Sequence, residues 1–74
     1  MTRTHDERYR AMIGLLRATR QLASLSQAEL ADRIGQRQQF VSKYESGDRR
    51  LDVVEFSNIA KILGIPAASW LKGL

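Results

Sequence analysis

The sequence predicts an all-α domain of five helices, and three observations carry that expectation. Apolar residues recur at three- and four-residue intervals along most of the 74 positions, the spacing that gathers them on one face of a helix. Ser, Thr or Asp is followed three residues later by Glu at Thr4–Glu7, Ser26–Glu29 and Asp52–Glu55, and each pair can close a capping box. Gly35, Gly47 and Gly64 stand where helical periodicity stops and the chain needs a left-handed residue. No run alternates polar and apolar residues as a strand would.

The first helix is expected from about His5 to Leu22, opened by Thr4 and turning Tyr9, Met12, Ile13 and Leu16 inward, with residues 1–4 as a flexible arm. The second begins at Ser26, sets Leu30, Ala31 and Ile34 toward the core and ends at Gly35 after about two turns. The third runs from about Arg37 to Glu45 and closes at Ser46 and Gly47. The fourth starts at Asp52, presents Val53, Phe56, Ile59, Ala60 and Leu63 on one face and stops at Gly64. Pro66 suits the first turn of a fifth helix, whose Trp70 and Leu71 would return to the core. Residues 1–74 make one domain, near the lower size limit for a core without cross-links.

Composition removes several classes of function. With no cysteine and the single histidine His5, neither a disulfide framework nor a Cys/His zinc site can be assembled, so no metal or cofactor is expected. The longest nearly apolar stretch, Ile62 to Leu71, is broken by Pro66 and too short to cross a bilayer. The N-terminus lacks the apolar segment of a secretion signal, and a cytoplasmic protein is the expectation. The chain has no glycine-rich phosphate loop, and its six serines have no evident base partner, so no enzyme is expected.

Charge points toward a polyanion. Lys and Arg number 12 against 8 Asp and Glu, a net +4, with Arg3, Arg8, Arg10, Arg17 and Arg20 crowded into the first twenty residues. Such a helix could attract phosphates, although a solvated basic face has the same composition. The third helix carries a more particular signal. At about 100° per residue, Gln38, Gln39, Ser42 and Lys43 occupy one arc and Phe40, Val41 and Tyr44 another. Carboxamides and an ammonium can offer the donors and acceptors that base edges require, and the same residues would also suit an exposed helix face. Two short helices joined by a glycine-containing turn, followed by this polar arc, favour base reading.

From Leu25 to Leu71 the chain resembles the lambda-repressor-like Xre/Cro family of helix-turn-helix regulators. The resemblance lies in Leu25-Ser26-Gln27-Ala28-Glu29-Leu30-Ala31, in Ile34-Gly35, in Val41-Ser42-Lys43-Tyr44-Glu45-Ser46-Gly47 and in Ile59-Ala60-Lys61-Ile62-Leu63-Gly64. It implies a helix-turn-helix at the second and third helices, with the third in the major groove. Gln38, Gln39, Ser42 and Lys43 would then face base edges. A Gln38 carboxamide fits adenine N6 and N7, and Lys43 could donate to guanine or to phosphate. Gln27 would touch a phosphate and brace Gln38, while Ser26, Arg37, Ser46, Arg49 and Arg50 would contact the backbone and set register.

This sequence also departs from the family pattern. Gln36 stands where a small apolar residue is common, and Arg37 where a Ser or Thr cap is common, leaving Arg37 free to reach phosphate. Phe40 is bulky for the edge of a DNA-facing surface; packing is favoured over contact with a thymine methyl group. Arg20 falls inside the apolar arc of the first helix, where a guanidinium needs a carboxylate unless it snorkels to solvent. The resemblance implies that its partner is Glu45.

The expected partner is therefore double-stranded DNA, in the form of a palindromic operator bound by a homodimer that acts as a repressor. One domain offers few base contacts, so specificity calls for two half-sites about 34–36 Å apart. Val54, Ile62, Trp70, Leu71 and Leu74 supply apolar surface for such a dimer. The alternative is a protein-interaction module, an antitoxin or adaptor using that patch. No small-molecule ligand and no membrane partner is evident.

Overall fold

The computed structural model describes residues 2–66 and 68–69, with side chains described from residue 7 onward. Four helices follow one another: α1 (Thr2–Leu22), α2 (Gln27–Arg33), α3 (Gln38–Ser46) and α4 (Val53–Leu63). The described residues contain no strand. The expected five-helix count is thus not met among them. Ala68 and Ser69 are helical, and the Ser69 amide donates to the Pro66 carbonyl at 2.9 Å, but Trp70 and Leu71 lie outside the described residues.

Local hydrogen bonding accounts for most of the boundaries. Ser26 caps α2: its Oγ accepts from the Glu29 amide at 3.0 Å, and the Glu29 carboxylate accepts from the Ser26 amide at 2.8 Å. Asp52 and Glu55 repeat this reciprocal pair at α4, at 2.7 and 3.0 Å. Such boxes satisfy amides that the first helical turn leaves without partners. Gly47 closes α3 with φ at +93°, a conformation in which an L side chain would be strained.

Two expectations are corrected. Helix α1 begins at Thr2, so the Thr4–Glu7 pattern lies inside a helix and does not open one. No proline or glycine interrupts residues 2–7, and nothing there breaks the helix upstream of Thr4. At its other end Ser24 takes φ +59°, and the Leu25 amide reaches back to the Arg20 carbonyl at 3.1 Å. Val53, grouped with the core face of α4, is 66% exposed. It occupies the first turn, where the helix has not yet reached its neighbours.

The core is formed by Ile13 and Leu16 of α1, Leu30 and Ala31 of α2, Val41 and Tyr44 of α3, and Phe56, Ile59 and Ala60 of α4. Each large apolar side chain removed from water contributes roughly 1.5–3 kcal/mol, which makes packing the main source of stability in a chain without cross-links. Tyr9, Met12, Phe40 and Leu63 flank this core half-buried. Helices α2 and α3 pack closely on each other, and α1 packs on both α3 and α4. The outer face of α3 is left to solvent.

Candidate nucleic-acid interface

Helix α3 divides as its sequence divides. Val41 and Tyr44 are fully buried, whereas Gln38, Gln39, Ser42 and Lys43 are all exposed. Tight α2–α3 packing holds the inner face, so the outer four side chains project from a rigid element, and none of them is engaged by another described residue. A protein that reads base edges needs unspent donors and acceptors of this kind. The turn into α3 is braced by backbone bonds, with the Ile34 amide on the Leu30 carbonyl at 3.1 Å and the Gln36 amide on the Ala31 carbonyl at 2.8 Å. Arg37 occupies the cap position of α3 with no side-chain hydrogen bond and remains exposed.

Inside the fold, Arg20 and Glu45 form a two-pronged pair. Arg20 Nε donates to Glu45 Oε2 at 2.8 Å and Nη2 donates to Oε1 at 3.0 Å, with the side chains 9% and 3% exposed. Arg20 Nη1 also donates to the Leu25 carbonyl at 2.7 Å, which fastens the end of α1 to the start of the α2 segment. Planar fork geometry lets guanidinium and carboxylate satisfy each other where water is excluded.

Gln27 joins this cluster. Its Nε2 donates to Glu45 Oε1 at 3.0 Å, so one N–H of the amide expected to brace Gln38 goes to Glu45, and the second is left for a phosphate. The carboxylate of Glu45 is the strongest acceptor within reach, and a charge-assisted bond outcompetes a neutral one. Tyr44, one residue away, has the single buried side-chain polar atom without a partner among the described residues, its hydroxyl. Burial, reinforced by the Glu45 charge, pushes that phenol well above its ordinary pKa.

The candidate phosphate residues fall into two groups. Ser26 and Ser46 are exposed at helix ends; Ser46 Oγ donates to the Lys43 carbonyl at 3.1 Å, and Ser26 Oγ serves its own cap. Arg49 is held from both sides. Its guanidinium grips Glu55 at 3.0 and 2.8 Å and lies 4.7 Å from the centre of the Phe40 ring. Bonding to Arg49, and to the Asp52 amide, draws the Glu55 carboxyl below its usual range. Phe40 packs edge-on against Tyr44, with ring centres 5.7 Å apart. Arg50 stacks on the Tyr9 ring at 4.2 Å, and the Tyr9 hydroxyl accepts from the Leu51 amide at 2.9 Å. Sequence reasoning missed these anchors for Arg49 and Arg50. The close spacing of Arg49 and Glu55 was the only signal available for the first, and Tyr9 is too distant in sequence to suggest the second.

No helix among the described residues is long and apolar enough to cross a membrane, and no cluster of metal-ligating side chains occurs among them. A family model described as helix-turn-helix matches residues 16–70, which spans α2, α3, α4 and the second part of α1. Neither the curated proteins nor the solved structures hold a significant match to this chain.

Proposed function

Because the chain belongs to the helix-turn-helix family of DNA-binding transcription regulators, we propose that it represses transcription by reading a palindromic operator with α3 in the major groove. The observation that carries this reading is the exposed row Gln38, Gln39, Ser42 and Lys43, unspent on a helix whose opposite face is locked into the core. Gln38 is assigned to adenine, and Lys43 to guanine or an adjacent phosphate. Ser26, Gln27, Arg37, Ser46, Arg49 and Arg50 are assigned to the backbone on either side. Arg37 is already exposed and uncapped, whereas Arg49 presents a guanidinium positioned by Glu55 and Phe40.

A homodimer would double the number of bases read. Val53, Val54 and Ile62 expose apolar surface on α4, at 66%, 67% and 43%, and supply a patch for a second copy. Selection of bound duplexes from a random pool tests the whole reading. Enrichment of a two-fold symmetric site is expected, and Gln38→Ala should lose about 1–3 kcal/mol of preference for one base pair in each half of it. Failure to enrich any sequence would favour the protein-interaction role, an antitoxin or adaptor built on the α4 patch.

A further inference from the structure

Alongside α1 runs a half-open groove of ≈ 440 Å³, walled on one side by Tyr9, Arg10, Ile13, Gly14 and Arg17 and on the other by the end of α3 and the turn that follows it. Ser46 and Arg50, both assigned above to phosphate, lie on that second wall. Ser46 follows Gln39 and Ser42 at helical spacing, so the groove opens where the base-reading face of α3 ends. Resting on the DNA-binding reading above, we propose that this groove receives a phosphate of the duplex backbone, with Arg10 and Arg17 of α1 as its gripping residues.

Charge supports that occupant. Arg10, Arg17 and Arg50 bring three positive charges to the groove, against Asp48 and Glu45. Glu45 is already neutralised by Arg20 and is closed to solvent. With Arg50 left aside, Arg10 and Arg17 still outnumber Asp48. Arg10 and Arg17 stand two turns apart on α1, both exposed and with no described partner, so their donors are unspent. Carbonyls at the end of α3 would repel an anion if bare, and two of them are covered. The Lys43 carbonyl accepts from the Asp48 and Arg49 amides at 2.9 and 3.2 Å, and the Tyr44 carbonyl accepts from Gly47 at 3.4 Å. Gly14 leaves the α1 wall without a side chain, and a Cβ there would meet nothing within 4 Å. Continuity with Ser46 and with the α3 face favours a backbone phosphate over a small anion free in solution.

The test compares the unaltered protein with Arg10→Gln/Arg17→Gln and with Asp48→Asn, on a mixed-sequence duplex and on the duplex selected above, across a range of salt concentrations. Losing the grip on that phosphate should weaken binding to both duplexes by the same factor, on the order of tenfold, and make the log–log salt slope shallower by about one. Asp48→Asn should strengthen binding to both. An unchanged salt slope in the double variant overturns the groove while leaving the base-reading assignment intact. If the unaltered protein binds no duplex, the DNA reading fails and takes this inference with it. Amide shifts at Gly14 and Gly47 that saturate with inorganic phosphate, together with an unchanged slope on duplex, would also overturn it and assign the groove to a free anion.

Discussion

Two arginine–glutamate pairs of the same 2.8 Å closest approach stand in different surroundings, and the contrast separates what holds this domain together from what shapes its surface. Arg20–Glu45 joins α1 to the end of α3 with both side chains nearly closed to solvent. Arg49–Glu55 joins the α3–α4 turn to the first turn of α4 with side chains 41% and 24% exposed. Distance does not distinguish them; desolvation does. An inner charge cannot exchange its partner for water, so losing one member strands the other, whereas an outer charge is simply rehydrated.

That difference is open to direct attack. Arg20→Ala should cost about 3–5 kcal/mol, because it leaves the Glu45 carboxylate buried with only the Gln27 amide to answer it. In a domain of this size such a loss removes most of the folding free energy. Urea midpoints followed by circular dichroism, with Arg17→Ala as the exposed control, measure it. Equal midpoints for the two variants would dissolve the inner pair as a stabilising feature.

A smaller effect sharpens the picture of the inner joint. The Tyr44 hydroxyl is buried beside Glu45 without a hydrogen-bond partner, and its desolvation is uncompensated. Tyr44→Phe should therefore raise stability by about 1 kcal/mol, read as a higher thermal midpoint. A fall would mean that the hydroxyl finds a bridging water.

The outer pair should respond least. Arg49→Ala is expected to lower the urea midpoint far less than Arg20→Ala does, and less still in high salt. Its acid dependence has a definite sign. Because Arg49 and the Asp52 amide lower the folded pKa of Glu55, its contribution is fully present above the ordinary carboxylate value of 4.5 and is lost as pH falls through the depressed one. Glu29, lowered by its Ser26 cap, behaves alike. Glu55→Gln should flatten the acid limb of the stability curve between pH 4.5 and lower values; an unaltered limb would remove Glu55 from that dependence.

Much of the fold was legible because its determinants are local. The caps at Ser26 and Asp52 involve partners three residues away, and the left-handed stop at Gly47 is a property of one residue. The two faces of α3 follow from helical geometry alone. Where local signals misled, a competing condition was absent or a neighbour was out of reach. Thr4–Glu7 has the chemistry of a cap, yet nothing upstream stops the helix; Val53 has the period of a core residue, yet lies beyond the packed turns.

For the candidate site, the sequence by itself determined which side chains share the outer face of α3, since the helical repeat decides that before any tertiary contact forms. Only the tertiary structure decided how the charged and amide groups are spent. It turned Gln27 to Glu45 and clamped Arg49 between Glu55 and Phe40. It also brought Arg10 and Arg17 opposite Ser46 and Arg50. Long polar side chains select the strongest partner within several ångströms, and that neighbourhood exists only after the helices have packed.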